Sequence, residues 1–246
     1  MKTEVRGEMV SFRGRDAELR GYAARPDAAE PLPAILLVPD VRGLYEHFRD
    51  VSRRFAAEGF FVLAVDLYSR EGPPNLPDFE AVRKWIEELP DRRVLADIED
   101  ALGYLRSSDA VRSESVGITG FCMGGQYALM AACSVEGFAA CVSWYGMLRY
   151  ERKTEKKPES PLELARHLRC PFLGLFGAED PLIPLSDVEE LRRILAETGR
   201  PFEIHVYPGA GHAFFNDTRP DAYRPEAASD AWQKAVAFFR RHLGGR

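Results

Sequence analysis

The stretch SVGITGFCMGG, residues 115–125, decides the fold of this chain. Its apolar first half predicts a buried strand, and the Ala-rich residues 123–133 predict a helix. Between them, Gly120 and Gly124 flank Cys122 in the pattern that places a nucleophile on a sharp strand-to-helix turn, here with sulfur in place of serine oxygen. The helix N-terminus favours a thiolate, and the N–H of Met123 is free to face a developing oxyanion. The alternative is a glycine-rich turn with an incidental buried cysteine.

Two further residues follow predicted strands in the order that this turn requires. Asp180 comes shortly after the apolar run at 171–176, and His212 comes after the last predicted strand. In folds with this turn, the acid and the histidine follow the nucleophile along the chain. His212 is predicted to take the proton of Cys122, and Asp180 to fix the imidazole's tautomer. Each is by itself an ordinary loop residue, but the order and context of all three favour a catalytic set; the adjacent Glu179 fits the spacing less well.

The remaining pattern predicts an α/β fold. A hairpin opens the chain, and apolar runs then alternate with helical spacing, which builds a mostly parallel central sheet with helices on both faces. The predicted strands lie at 5–12, 19–25, 34–39, 60–65, 115–121, 138–145, 171–176 and 202–207. The predicted helices lie at 48–58, 79–89, 92–107, 123–133, 186–198 (with Ser186 as N-cap) and 225–243. Residues 149–161 predict a charged surface excursion, and residues 1–246 are predicted to form one domain.

Composition and charge exclude several classes of function. The net charge of −5 is spread over both signs without a basic stripe, which argues against nucleic-acid binding. The charged first residues do not resemble a signal peptide, and no run approaches the ~20 apolar residues that span a bilayer, so we expect a cytoplasmic protein without a membrane partner. Three of the four cysteines lie in apolar stretches, which favours buried free thiols over two disulfides. No spacing indicates a metal site, and we expect a monomer or small homo-oligomer.

The sequence resembles the dienelactone hydrolase family (carboxymethylenebutenolidases) over nearly its whole length. The resemblance is carried by VPDVRGL at 38–44, RFAAEGFFVLAVDLY at 54–68, GFCMGG at 120–125, YG at 145–146, FGAEDPLIP at 176–184, GAGHAFFND at 209–217 and AWQKAVAFF at 231–239. It implies an α/β-hydrolase fold, a Cys-Asp-His triad at Cys122, Asp180 and His212, and no cofactor. It also implies a second oxyanion donor, the backbone N–H of Val41.

Two positions depart from the pattern of the enzyme that gives the family its name. That enzyme has a glutamate after its first central strand that holds the resting thiol; the matching residue is Asp40, which either gates the thiol or only caps the following loop. It also has a substrate-binding arginine four residues after the histidine, where this chain has Asn216. Arg83 is a candidate for the family's other substrate arginine, and Arg42 and Arg219 are alternative cations for a substrate carboxylate.

Aromatic residues near the predicted site are candidates for the pocket wall. Strand alternation sends one of Trp144 and Tyr145 into the core, and we assign Tyr145 to the pocket. Phe214 and Phe215 are either pocket or core residues.

A cysteine nucleophile limits the predicted substrates. A thiol has an ordinary pKa of about 8.5, so sulfur competes well against poor leaving groups for expulsion from the tetrahedral intermediate. We therefore expect a hydrolase of activated esters or lactones acting through a thioester. The alternatives are a triad hydrolase of thioesters, peptides or organophosphate triesters, and a non-catalytic binding or regulatory protein with the same fold.

Overall fold

The strand that leads to Cys122 lies near the middle of an eight-stranded sheet. The computed structural model describes residues 4–244. The strands are β1 (Val5–Arg13), β2 (Glu18–Pro26), β3 (Leu32–Val38), β4 (Phe61–Asp66), β5 (Val111–Phe121), β6 (Ala140–Trp144), β7 (Phe172–Gly177) and β8 (Phe202–Tyr207). Their order in the sheet is β1-β2-β4-β3-β5-β6-β7-β8. The β1–β2 and β2–β4 pairs are antiparallel, and every other pair is parallel.

Helices cover both faces of the sheet. They are α1 (Glu46–Ala57), α2 (Phe79–Glu88), α3 (Asp91–Arg106), α4 (Met123–Ser134), α5 (Pro161–Leu164), α6 (Leu185–Glu197) and α7 (Pro225–Leu243), with a 3-10 turn at Ala165–His167. On one face α1 packs against α7, where the rings of Phe55 and Trp232 lie 4.3 Å apart. On the other face α3 packs against α4. Because both faces are covered, all six strand residues of β7 and nearly all of β3 are buried.

The strand order reverses beside β3. The chain places β4 on one side of β3 and β5 on the other, so the loops that follow β3 and β5 leave the sheet at a topological switch point. Crevices at such points are where ligands bind in open α/β sheets. The loop after β3 contains Asp40 and Val41, and the turn after β5 contains Cys122. Both meet at the same edge of the sheet.

The architecture confirms the predicted fold class, the N-terminal hairpin and the long closing helix. One helix start is wrong: α6 begins at Leu185 with Pro184 as its N-cap, so Ser186 lies within the first turn and does not cap it. β5 also begins earlier than predicted, at Val111. Among residues 4–244, no helix is long and apolar enough to cross a bilayer. The predicted domain, 1–246, extends past the described residues at both ends and stays a prediction.

The prediction of a surface excursion at 149–161 is wrong for Lys157 and for the end of the segment at Ser160 and Pro161, which are buried. Lys157 is 2% exposed, and its ammonium lies 2.6 Å from Oδ1 of Asp91 and 2.7 Å from the hydroxyl of Tyr127. The hydroxyl of Tyr150 donates to the other carboxylate oxygen of Asp91 at 2.9 Å and accepts from Gln126 of α4 at 2.7 Å. The many charged residues of 149–161 predict exposure, but the ion pair with Asp91 and the hydrogen bonds to Tyr127 and Gln126 attach the segment to α3 and α4.

We predict that Lys157→Met strongly destabilises the protein, because it leaves the buried carboxylate of Asp91 without its cation. Breaking a buried ion pair in this way costs about 3–5 kcal/mol. Urea unfolding measures the free energy of unfolding. The matched control is Lys156→Met, which removes the exposed ion pair with Glu88 and should cost less than about 1 kcal/mol. Equal losses in the two variants would contradict the prediction.

Candidate active site

Steric constraints at the turn after β5 fix the position of Cys122. A Cβ on Gly120 would lie 1.9 Å from the carbonyl oxygen of Gly124, and a Cβ on Gly124 would lie 2.1 Å from that of Val38. Only glycine permits these approaches, which press the first turn of α4 against the ends of β5 and β3. Cys122 itself has φ 56° and ψ −118°, an unusual conformation for a residue with a side chain. The chain reverses sharply there and leaves the sulfur at the N-terminus of α4.

The structure brings His212 and Asp180 together with Cys122. Nε2 of His212 lies 3.0 Å from the sulfur, and Nδ1 lies 2.7 Å from Oδ2 of Asp180. Oδ1 of Asp180 accepts the backbone N–H of Leu182 at 2.9 Å, which holds the carboxylate in place. Glu179 is exposed and makes no side-chain contact with the imidazole among the described residues. The three residues thus form one hydrogen-bonded line.

The charges in this line favour a protonated imidazole. Burial alone would lower the pKa of His212, but the neighbouring sulfur of Cys122 and the carboxylate of Asp180 outweigh it and raise that pKa to about 10. An imidazolium at neutral pH, next to a sulfur at a helix N-terminus, stabilises the negative charge of a thiolate. The arrangement is suited to a thiolate–imidazolium pair that attacks an electrophile.

Two backbone N–H groups beside Cys122 have no hydrogen-bond partner among residues 4–244. The N–H of Met123 lies in the first turn of α4, where no intrahelical acceptor exists. The N–H of Val41 makes no hydrogen bond within residues 4–244. The hydroxyl of Tyr68 donates to the carbonyl of Val41 at 2.9 Å and lies 3.9 Å from the sulfur of Met123. Tyr68 therefore contacts both the loop that contains Val41 and the first turn of α4.

Asp40 is engaged with its own loop. Its Oδ1 accepts the backbone N–H of Arg42 at 2.8 Å, and its Oδ2 accepts the hydroxyl of Tyr45 at 3.2 Å. Burial raises the pKa of Asp40, while these two donors oppose the rise. Among the hydrogen bonds of residues 4–244, none joins Asp40 to Cys122. The observed contacts are those of the loop-capping alternative, and the thiol gate stays a prediction.

Comparison with known proteins identifies the family. The model of the dienelactone hydrolase family matches residues 19–243. The chain belongs to the dienelactone hydrolase family. It is 38% identical over 234 residues to a provisionally named 2-oxo-3-(5-oxofuran-2-ylidene)propanoate lactonase from Bradyrhizobium sp., covering 95% of this chain and 94% of the relative. It is also 38% identical over 240 residues to a provisionally named carboxymethylenebutenolidase from Escherichia coli K12, covering 96% and 87%.

A solved structure agrees with this membership. A provisionally named dienelactone hydrolase from Klebsiella pneumoniae superposes with a TM-score of 0.91 at 36% identity, covering 97% of this chain and 99% of that one. The protein is therefore a hydrolase of the dienelactone hydrolase family with an α/β-hydrolase fold.

The aromatic residues of this dienelactone hydrolase family member divide between the site and the core. Tyr145 lies against the imidazole of His212, with ring centroids 5.4 Å apart, and burial together with the nearby charges of Asp40 and Cys122 raises the pKa of its hydroxyl. Trp144 is fully buried and stacks on Phe121. Tyr145 is also only 2% exposed and lies beyond the end of β6, so strand alternation does not separate the two residues.

The structure places Phe214 and Phe215 in the core. Phe214 is fully buried between Tyr145 and Tyr207, and Phe215 packs against Trp144. The core alternative therefore fits both, and Phe214 supports Tyr145 from behind.

The candidate polar residues for substrate lie in different places. Asn216 is 2% exposed, and its amide is used within the protein, donating to Tyr45 and accepting from Thr218. Arg42 and Arg219 lie near the site, since the positive charges of both oppose the raised pKa of Asp40. Arg83 is exposed on α2 and pairs with Glu87 at 3.1 Å, and no ion pair or hydrogen bond among the described residues joins it to the site.

Tyr45 and Tyr68 were not predicted as site residues from the sequence. His47, close to Tyr45 in the chain, is buried beside Asp217, with Nδ1 3.3 Å from its carboxylate, and its ring packs on Phe215. Tyr68 lies at the end of the family segment 54–68, the one signal in the sequence that pointed to it. No such signal marked Tyr45, because one of its two partners, Asn216, lies 171 positions away in the chain.

We predict that Cys122→Ala lowers the pKa of His212 from about 10 towards its ordinary value of about 6.5, because the sulfur's negative charge is the larger of the two favourable influences on the imidazolium. An NMR titration of the imidazole carbons measures it, with His212→Gln assigning the signal. Cys170→Ala, which removes a buried thiol elsewhere, is the matched control and should leave the titration unchanged. An identical titration in wild type and Cys122→Ala would refute the ion pair.

Proposed function

We propose that this hydrolase uses Cys122 as its nucleophile and acts on activated esters or lactones through a thioester. The observation that carries the proposal is the 3.0 Å contact between the sulfur and Nε2 of His212, whose other nitrogen lies 2.7 Å from Asp180. A nucleophile, a base and a group that orients the base are the minimum set for covalent acyl transfer. Cys122, His212 and Asp180 supply one each.

The proposed cycle has an acylation half and a hydrolysis half. The thiolate attacks the carbonyl carbon, and the electron pair of the C=O bond moves onto oxygen, to which the N–H groups of Met123 and Val41 donate hydrogen bonds. Collapse of this intermediate breaks the bond to the leaving oxygen, which takes the proton of His212. The neutral imidazole then removes a proton from water as the water attacks the thioester. Expulsion of the thiolate releases the acid and restores the imidazolium.

Sulfur biases this cycle towards good leaving groups. In the tetrahedral intermediate the thiolate and the substrate's alcohol compete for expulsion, and a thiolate leaves more easily than an alkoxide. An enolate or a phenolate competes on better terms, because its conjugate acid has a much lower pKa than an alkyl alcohol. Enol-lactones and aryl esters therefore partition towards the acyl-enzyme, whereas alkyl esters return to substrate.

The names of the relatives support the lactone part of this proposal. The Bradyrhizobium relative is named for a furanone lactone that also carries a carboxylate. Arg42 is exposed, Arg219 is half-buried, and both lie near Asp40, so they offer positive charge close to the nucleophile. With Tyr145 at the pocket wall, they are the substrate-binding residues that the site supports; Arg83 and Phe214 are not among them.

We predict that Cys122→Ala abolishes hydrolysis of p-nitrophenyl acetate and of an enol-lactone while the fold is retained. Losing the nucleophile of a triad removes roughly 10⁶ in kcat, because the remaining groups have nothing to activate. Stopped-flow absorbance measures turnover, and mass spectrometry of the quenched wild type should find one acyl group on Cys122. Cys170→Ala, a buried thiol away from the site, should keep full activity.

The outcomes separate the proposal from its alternatives. Undiminished turnover in Cys122→Ala would refute the cysteine nucleophile. A panel that adds alkyl thioesters, peptides and an organophosphate triester tests the substrate class, and a preference for any of these would replace activated esters. Wild type that is inactive on every substrate and forms no adduct would favour a binding protein.

A further inference from the structure

A hydrogen-bonded chain joins the loop of His212 to the loop of Val41. Nδ2 of Asn216 lies 2.9 Å from the hydroxyl of Tyr45, and that hydroxyl lies 3.2 Å from Oδ2 of Asp40. Asn216 is 2% exposed and Tyr45 and Asp40 are half-buried, so this chain, the Asn216–Tyr45–Asp40 relay, runs through the interior beside the site. The mechanism above uses none of its side chains.

The direction of every hydrogen bond in the relay is fixed. Oδ1 of Asn216 accepts from the backbone N–H of Thr218 at 3.1 Å and from its hydroxyl at 2.7 Å, which sets the orientation of the amide. Nδ2 of Asn216 therefore donates, and the hydroxyl of Tyr45 accepts. The single proton of that hydroxyl is then committed to Asp40. The hydroxyl of Tyr45 therefore donates its proton to Oδ2 of Asp40, and the hydrogen bond from Asn216 keeps the hydroxyl in that orientation.

The orientation of the Asp40 carboxylate determines the direction in which the N–H of Val41 points. Oδ1 of Asp40 accepts the N–H of Arg42 at 2.8 Å, and the carbonyl of Asp40 accepts the N–H of Gly43 at 2.9 Å. The peptide between Asp40 and Val41 is planar and trans, so with its carbonyl turned towards Gly43 its N–H points the opposite way. That N–H is the one that finds no partner among residues 4–244.

We propose that Asn216 and Tyr45 are positioning residues for the oxyanion donor at Val41. They act through Asp40, whose carboxylate fixes the turn at residues 40–43 and so aims the N–H of Val41 at the developing oxyanion. This inference rests on the proposed function, since it needs a tetrahedral oxyanion at the carbon that Cys122 attacks. It also gives Asn216 a role different from direct contact with substrate, for which its amide oxygen and one N–H are already used.

An oxyanion donor that points in the wrong direction stabilises the transition state less. It leaves the affinity for substrate and the reactivity of the Cys122 thiolate unchanged. The oxyanion exists only in the tetrahedral state, so kcat should fall while KM stays constant. Alkylation of Cys122 by iodoacetamide displaces iodide from a saturated carbon and forms no oxyanion. The alkylation rate therefore reports the thiolate alone, and Cys133, Cys141 and Cys170 are buried and do not compete.

The experiment compares Tyr45→Phe, Asn216→Ala and the double variant with wild type. Tyr45→Phe keeps the ring that packs on Phe48 and removes only the hydroxyl. Loss of a whole oxyanion donor costs about 10²–10³ in kcat, so a donor that is present but misaimed should cost about tenfold in each single variant. KM for p-nitrophenyl acetate and the alkylation rate should stay within about twofold of wild type. The double variant should be no slower than the slower single variant, because both changes cut the same relay.

Asp217→Asn is the matched control. It lies next to Asn216 in the same loop, but its carboxylate pairs with Arg54 and lies beside His47 instead of joining the relay, so its kcat should match wild type. Single variants with the activity of this control would overturn the proposal. So would alkylation rates that fall in step with kcat, or losses that add in the double variant. Activity that survives in Cys122→Ala would instead refute the proposed function itself.

Discussion

The close contact between the first turn of α4 and the ends of β3 and β5 is the constraint on which the site depends. Gly120 and Gly124 allow backbone to touch backbone there, at distances that exclude any Cβ. That contact sets the sulfur of Cys122 at a helix N-terminus and, at the same time, sets the loop after β3 beside it. The proposed nucleophile and the two proposed oxyanion donors are therefore brought together by the same backbone contact, and His212 and Asp180 approach it from the loops that follow β8 and β7.

Backbone strain is concentrated at the same place. Among residues 4–244, the non-glycine residues with positive φ are Cys122, Tyr145 and Ala213. They are the proposed nucleophile, the aromatic residue that lies against the imidazole of His212, and the residue directly after His212. Each such conformation costs on the order of 1–3 kcal/mol and persists only where packing enforces it. The fully buried residues around them, such as Phe121, Trp144 and Phe214, provide that packing.

Most of the fold, and the grouping of Cys122, Asp180 and His212, could be predicted from the sequence for a physical reason. Strand and helix periodicities are local, and Cys122, Asp180 and His212 each follow a strand directly, so a parallel sheet brings them to one edge. The relay was not predictable in the same way, since Asn216 and Tyr45 are 171 positions apart and neither type of residue marks its partner. The burial of Lys157 was not predicted, because a segment rich in charged residues is usually exposed to solvent. Lys157 is buried because it pairs with the buried carboxylate of Asp91. The N-cap of α6 was predicted two positions too late, at Ser186 instead of Pro184, at a helix start where boundaries commonly vary by one or two positions.

The buried ion pair between Lys157 and Asp91 has a consequence for how this enzyme can diversify. It anchors the segment that begins at Tyr145 from its interior side, while residues 151–153 and 155–156 of the same segment are exposed. Mutations in that exposed part leave the anchor and the wall beside His212 in place. Substitutions at residues 151–153 can therefore change the surface of the protein without touching the ion pair, whereas the turn at residues 154–157, in which Thr154 and Lys157 are hydrogen-bonded to each other, has to keep its length. Within one segment, exposed positions that can be substituted are thus separated from the buried ion pair that has to be kept.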